Sequence, residues 1–313
     1  MENNRGTIIS VVIPVYKAED YLRDLYLRLK ASLEVIAPSY EIIMVEDCGG
    51  DRSWNVIKEL SQLDKRVKGI QLSRNFGQHN ALLCGIRAAQ GEVIVTIDDD
   101  LQHPPEEISK LLDKLAEGYD VVYGIPKKEK HNFWRTIASR VTKVALQSAM
   151  GAEIARKVSA FRAFRSDLRN AFADYQSPFV SIDVLLTWGT TRFVGIPVHH
   201  DFRQAGKSHY SFGKLVVHAL NMLTGFSTLP LQLASLIGFV FTLFGFGVLV
   251  YVIGRYLMEG GKVPGFPFLA SLIAIFSGAQ LFSLGIIGEY LARVHFRMMD
   301  RPIYIVRSRT FCS

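Results

Sequence analysis

Two periods of hydrophobic positions alternate along the first 210 residues. Short apolar runs rich in β-branched residues at 8–13, 41–45, 68–72, 92–97 and 120–123 read as strands. Between them, residues 21–33 place Leu22, Leu25, Leu29 and Leu33 at helical spacing. Residues 54–63, 79–89 and 105–117 also read as helices, the second of these closed by Gly91. Strand–helix alternation predicts an α/β fold with a mostly parallel, Rossmann-like sheet covered on both faces.

The pattern changes beyond residue 210. No Asp, Glu, Lys or Arg occurs in the 40 residues between Lys214 and Arg255, or in the 26 between Lys262 and Glu289. Inside these gaps lie two apolar runs, 231–253 and 266–287, each long enough at about 1.5 Å per residue to cross a hydrocarbon core as a helix. A buried core helix usually keeps a polar stripe, whereas these runs are strongly apolar and free of charge. The link between them carries Arg255, Lys262 and Glu259, whereas the tail carries Arg293, Arg297, Arg301, Arg307 and Arg309 against two acids. Arg203, Lys207 and Lys214 precede the first run. The positive-inside rule then predicts a helical hairpin in the cytoplasmic membrane, with both of its ends cytosolic. The expected organisation is a cytosolic catalytic domain over 1–210, a juxtamembrane amphipathic segment over 211–229, two spans within 230–288 and a cytosolic basic tail over 289–313.

Composition agrees with this division. Charged residues make up 21% of the chain, and mean hydropathy is +0.18, too apolar for a disordered chain. The three cysteines, Cys48, Cys84 and Cys312, form no CxxC pair, which excludes a zinc ribbon or disulfide scaffold and fits a reducing compartment. The apolar run before Pro14 is too short for a signal-peptide core. The net charge of +7 is partly accounted for by the arginines flanking the spans, so it does not imply nucleic-acid binding. There is no GxGxxG, and Gly206-Lys207-Ser208 lacks the first glycine of a P-loop.

In a parallel sheet the ligand sits beyond the carboxyl ends of the strands, so the residues after each strand carry the chemistry. These are Pro14-Val-Tyr16-Lys-Ala-Glu19, then Glu46-Asp47-Cys-Gly-Gly-Asp51, then Arg74-Asn75-Phe-Gly77-Gln78, and finally Asp98-Asp99-Asp100-Leu-Gln102-His103. Either acidic loop alone could be a helix cap. Three adjacent carboxylates repel one another unless a cation joins them, and strand alternation would point Asp98 and Asp100 the same way. That arrangement suits a hard divalent ion that also takes diphosphate oxygens. His199 and His200, adjacent on an expected strand, point to opposite faces and cannot share a metal. Asp183, in an apolar segment, is either a substitute base or a partnered structural carboxylate.

Together VVIPVYKAEDYL, EIIMVEDCGGDRSW, RNFGQHNAL and DDDLQHPPEEI resemble the family-2 glycosyltransferases of GT-A fold. More narrowly, the chain is similar to polyprenyl-phosphate glycosyltransferases, the dolichyl-phosphate mannose synthase and undecaprenyl-phosphate 4-deoxy-4-formamido-L-arabinose transferase groups. The segments FWRTIASR, RQAGKSHYSFGKL and GEYLARVHFRMMDRPIY extend the likeness over nearly the whole chain. The resemblance implies that Pro14, Tyr16 and Glu19 line the nucleotide, with Lys17 standing where Asn is usual. It implies that Asp47 reads the base or ribose, and that Asp98 and Asp100 hold Mg²⁺ or Mn²⁺ on the donor diphosphate beside Gln102. Relatives often have GDFR where this chain has Ser159-Ala160-Phe161-Arg162, so a possible catalytic base is missing.

That absence is tolerable if the acceptor is a lipid phosphate. A phosphate monoester has its second pKa near about 6 and is largely anionic at neutral pH, so it needs little help from a general base. Cations are needed instead, and Lys127, Lys128, Lys130, Arg135, Arg140, Arg162 and Arg165 lie in the right stretch. Position in the family pattern favours Arg135, Ser139 and Arg162 for the acceptor phosphate, with Arg162 also counted as catalytic. Arg203, Lys207 and Ser208 form an expected cover over the donor, or else a basic anchor to anionic lipid. The expected function is metal-dependent, inverting transfer of one sugar from a nucleotide-sugar, a UDP-sugar favoured, to undecaprenyl phosphate. The product would be a lipid-linked donor for envelope glycans, and the spans could pack as a homo-oligomer. The rivals are a polysaccharide or glycolipid transferase with a hydroxyl acceptor and a silent scaffold that binds the lipid carrier.

Overall fold

The computed structural model describes residues 8–126, 157–177, 179–201, 228–259, 265–299 and 301–311. Its centre is an eight-stranded sheet in the order β7-β5-β6-β4-β1-β2-β3-β8. Strands β1 (Ile8–Val15), β2 (Ser39–Glu46), β3 (Val67–Leu72) and β4 (Val93–Thr96) are parallel, paired β1 with β2, β2 with β3, and β1 with β4. Strand β6 (Arg162–Arg165) lies antiparallel between β4 and β5 (Val121–Pro126), and β7 (Phe193–Val198) runs parallel to β5. The five strands expected from the sequence are present, with ends shifted by a few residues.

Alternation along β1 explains the two-sided core. Ile9, Val11, Ile13 and Val15 join one cluster with Leu22, Leu25, Leu29 and Leu33 of α1 (Leu22–Ile36) and with Ile57 and Leu60 of α2 (Ser53–Leu63). The helical part of the 105–117 segment also packs there through Ile108, Leu111 and Leu115; it splits into a 3₁₀ turn, Pro105–Glu107, and α4 (Ile108–Ala116). Val12 points to the opposite face, where α3 (Gln78–Ala88) and α5 (Ile182–Leu186) pack. Gly85 lets α3 approach β1 closely: a Cβ there would lie 2.4 Å from a methyl of Val12.

Two long helices follow, α6 (Leu229–Glu259) and α7 (Phe266–Met298). Within them Pro230–Met258 and Ile275–His295 are long and apolar enough to cross a membrane, and neither is buried inside the protein. Helix α7 continues beyond the expected end at 287, which carries Arg293 and Arg297 on its last turns.

The basic tail differs from expectation. It adds an edge strand, β8 (Val306–Arg309), antiparallel to β3. Ile303 is buried in the second core cluster, with Tyr304 and Phe311 packed against it. Thr310 reinforces the edge by accepting the Gly69 amide at 2.8 Å. The tail's arginines suggest only a basic flank to the second span, because a four-residue strand carries too few apolar positions to stand out. Since β8 rejoins the sheet, the chain before α6 and the chain after α7 meet in one folded body.

The close helix–strand approach gives the first prediction. Gly85→Ala forces a methyl into the Val12 contact and should lower unfolding stability by about 1–3 kcal/mol, read as a fall in denaturation midpoint. An unchanged midpoint would mean that the α3–β1 spacing is adjustable.

Candidate active site

The chain runs from β1 outward to β2 and β3, then returns to β4 on the other side of β1. This reversal opens a crevice at the carboxyl ends of β1 and β4, the usual ligand position in open α/β sheets. All four polar loops meet there, and they are joined in a closed ring. The first loop meets the second where the Ala18 amide donates to Ser53 Oγ at 3.0 Å, the Glu19 amide to Asp51 at 3.2 Å and the Arg52 amide to Glu19 at 2.7 Å. The second meets the third through Asp47, which accepts the Phe76 and Gly77 amides at 2.7 and 2.8 Å. The third meets the fourth where Gln78 Nε2 donates to Asp98 at 2.7 Å. The fourth returns to the first where the Tyr16 amide donates to Asp99 at 2.9 Å.

Each loop contains a residue with left-handed backbone. Lys17 (φ 57°), Cys48 (φ 53°) and Leu101 (φ 58°) are the non-glycine examples among the described residues, and Gly77 (φ 94°) serves the third loop. Such conformations are unfavourable for L-residues and persist where surrounding contacts fix them. Gly49 is required by proximity instead, since a Cβ there would fall 2.8 Å from the Lys17 amide nitrogen.

The acidic turn differs from its expected geometry. Strand β4 ends at Thr96, so Asp98, Asp99 and Asp100 lie on a turn and not on an extended alternation. Asp99 is turned back onto the Tyr16 amide. Burial, and after it the charges of Asp98 and Asp100, raise the Asp99 pKa to about 7, opposed by that amide bond. Asp100 accepts the Gln102 amide at 3.2 Å, and the Gln102 carbonyl accepts the Asp201 amide at 2.9 Å. Among the described residues no three His, Cys, Asp or Glu side chains converge into a closed metal cage. Asp98 and Asp100 with the Gln102 side chain offer hard oxygen donors, and an open site of that kind suits an ion that keeps positions for diphosphate oxygens. The residues fit a Mg²⁺ or Mn²⁺ ion on those terms.

Other sequence-predicted residues fall as follows. Pro14 is buried at the end of β1, and Tyr16 is exposed at the mouth of the crevice. Glu19 is spent on the second loop. Asp47 is only 3% exposed, with both oxygens clasping amides, so it is a buckle between loops and not an open contact for base or ribose. Burial raises its pKa, and the two amide bonds oppose the rise.

Arg162 is corrected more sharply. At 2% exposed it lies inside the sheet, donating from Nε to Thr96 Oγ1 at 3.0 Å and pairing with Asp183 through Nη1. Tyr123 also donates to Asp183, at 3.0 Å. Alternation on β6 turns Arg162 to the same face as Phe164, into the core and away from solvent. It is neither a phosphate ligand nor a group that touches the reacting atoms, but a post beneath the acidic turn. Arg135, Ser139, Arg203, Lys207 and Ser208 lie outside the described residues, as does the expected juxtamembrane segment up to residue 227.

Three residues gain roles that were not assigned to them from the sequence: Gln78 and Ser53 as ring members, and His103. The His103 ring is buried between Phe161 at 5.4 Å and His200 at 4.9 Å. Burial, with His200 next, lowers its pKa to about 4, so it is neutral at physiological pH. His199 and His200 lie just beyond the end of β7 and not on an extended strand as expected; His199 pairs with Asp201 at 3.1 Å, while His200 stands against His103. Removing the Asp47 buckle is the most direct test of the ring. Asp47→Ala strands two half-buried amides and should cost about 1–3 kcal/mol of stability, with Asp47→Asn intermediate because its amide oxygen still accepts one N–H. Chemical denaturation of the three proteins checks the order.

Comparison with known proteins now gives the site a context. The profile of the glycosyl transferase family 2 domain matches residues 10–172, a little over half of the 313-residue chain. The fold is similar to that of glucosyl-3-phosphoglycerate synthase from Mycobacterium tuberculosis. One such structure, with Mn²⁺, UDP and phosphoglyceric acid, has a TM-score of 0.51 at 14% identity, covering 70% of this chain and 76% of that one. Another, with Mn²⁺, UDP-glucose and phosphoglyceric acid, has a TM-score of 0.51 at 15% identity, covering 70% and 78%. The ring of loops, the acidic turn and the family match together lead to one conclusion: the chain belongs to glycosyl transferase family 2, and it is a glycosyltransferase with a GT-A sheet and two apolar helices long enough to cross a membrane.

Proposed function

We propose that this glycosyltransferase moves a single sugar from a UDP-sugar to a polyprenyl phosphate, undecaprenyl phosphate in bacteria, at the cytoplasmic face of the membrane. The observation that carries the reading is the double attachment of the sheet to the apolar helices. The chain leaves β7 for α6, and after α7 it returns to the sheet as β8 on the opposite edge. A sheet tied at both ends to two membrane-length helices works on a substrate held in that membrane. With both attachments in one body, the hairpin crosses twice and leaves the catalytic domain and the tail on the same side, the side that the arginine-rich flanks make cytoplasmic.

The state of Asp183 supports a phosphate acceptor over a hydroxyl. A hydroxyl acceptor needs a base, and Asp183, the carboxylate that could have substituted for one, is buried against Arg162 and Tyr123. A lipid phosphate brings its own negative charge to the sugar carbon and needs none. Asp98, Asp100 and Gln102 would hold the Mg²⁺ or Mn²⁺ ion, which supplies positive charge to the departing nucleoside diphosphate. The Mn²⁺ and UDP in the similar synthase favour the same donor class here. Tyr16 at the crevice mouth would meet the nucleotide; Arg135 and Ser139 would receive the acceptor phosphate; Arg203, Lys207 and Ser208 would close over the donor. The product is a lipid-linked sugar for envelope glycan modification, and packing of the apolar helices would give a homo-oligomer.

The test is a panel of nucleotide-sugars offered with undecaprenyl phosphate and Mn²⁺, scored for a lipid-linked product. A UDP-sugar should give product that disappears on chelation of the metal, and Asp100→Asn should abolish it. Full activity in that variant would remove the metal role of Asp100. A second experiment addresses the cover. Arg203→Ala with Lys207→Ala should cut turnover while membrane association survives; normal turnover with loss of association would make these residues a lipid anchor.

A further inference from the structure

The helical layer that carries Asp183 ends in a group of aromatic side chains with no part in the site. Trp188 follows α5 and is 54% exposed. The Tyr175 ring stands edge-on to it, with centroids 5.5 Å apart. Tyr175 donates its hydroxyl to the Phe179 carbonyl, and the Arg293 guanidinium lies 4.4 Å over the Phe179 ring. The row thus leads from the surface of the catalytic domain directly to α7.

Its position on α7 fixes its height. Arg293 lies past the charge-free run that ends at Gly288 and within the apolar stretch Ile275–His295, where hydrocarbon gives way to headgroups. The headgroup zone on each side of the hydrocarbon is about 5–7 Å thick. The guanidinium donates to Glu289 one turn back along α7 at 2.8 Å and lies against the Phe179 ring, so the end of the row is held at this level of the helix. Tyr and Trp are the side chains that favour this zone, because their rings are apolar and their N–H or O–H groups can remain wet.

We propose that Tyr175, Phe179 and Trp188 form a bilayer-interface anchor, with the headgroup region of the membrane that α6 and α7 cross as its partner. The inference rests on the membrane reading of those helices and goes beyond it, since it assigns a lipid contact to the catalytic domain itself. The anchor is joined to the chemistry. The other end of α5 holds Asp183, Asp183 holds Arg162, and Arg162 holds Thr96, two residues before Asp98. Seating Trp188 in the interface therefore fixes the height of the acidic turn above the bilayer, where a lipid phosphate must meet it.

Depth-dependent fluorescence quenching tests this in the full chain reconstituted in phosphatidylcholine–phosphatidylglycerol vesicles. The chain has three tryptophans, so Trp54→Phe with Trp134→Phe leaves Trp188 as the sole emitter. Its emission should be blue-shifted and lose more intensity to lipids carrying a shallow quencher than to those carrying a deep one. A control that also has Trp188→Phe and Phe246→Trp puts the emitter on α6. A deeply quenched control with Trp188 untouched by either lipid overturns the anchor and leaves the membrane reading standing. A control that no lipid quenches overturns the membrane reading, and the anchor with it. If the double variant does not fold, Trp188→Cys carrying a nitroxide, with the native Trp54 and Trp134 retained and Cys48, Cys84 and Cys312 replaced by Ala so that only position 188 is labelled, gives the same depth from its accessibility to oxygen and to an aqueous relaxant. An aqueous depth again overturns the proposal, as does burial against a second copy of the chain.

Discussion

The candidate site depends on a ring of hydrogen bonds that ties four loops from four parallel strands into one rim. Asp47 clasps the third loop, Gln78 steadies Asp98, and Asp99 receives the Tyr16 amide. Without these bonds, three adjacent carboxylates would separate by repulsion, and the left-handed residues Lys17, Cys48 and Leu101 would relax. The ring turns a repulsive cluster into an organised one. It also divides the labour within the acidic turn: Asp99 holds the turn to β1, so Asp98 and Asp100 remain the pair suited to a cation. Burial raises the Asp99 pKa to about 7, which lessens the repulsion further.

A second set of interactions supports the rim from below. The Arg162–Asp183 pair, with Thr96 and Tyr123, joins β4, β5, β6 and α5 directly under the acidic turn. A buried pair of this kind is costly to break from one side, about 3–5 kcal/mol, and this one consumes a carboxylate that would otherwise sit near the chemistry. On the far edge of the sheet, β8 closes the exposed side of β3 and returns the chain from the apolar helices. One folded body thus contains the rim, its support and both attachments to the helical hairpin.

Much of this was legible from residue pattern. Strand–helix alternation gave the parallel sheet, charge-free stretches gave the two long helices, and the residues after each strand gave the four site loops. What could not be read was where individual side chains spend their hydrogen bonds. Asp47 has the look of a ligand contact because a carboxylate after a strand is usually available; only the fold brings Phe76 and Gly77 within its reach. Arg162 has the look of a phosphate ligand by its position in the family pattern, but β6 inserts antiparallel between β4 and β5 and turns it inward. The substitution of Lys17 for Asn hides a backbone requirement, since Asn tolerates the left-handed conformation that Lys17 adopts. Strand β8 was hidden by its shortness and its arginines.

The central claim is that the acidic turn, held by the ring of loops, is the seat of the donor's metal. Anomalous scattering from crystals of the full chain grown with Mn²⁺ and UDP tests it most directly. The account predicts a manganese peak within coordination distance of the Asp98 and Asp100 carboxylates and touching the diphosphate. A peak elsewhere, with the diphosphate bound away from that turn, would contradict it.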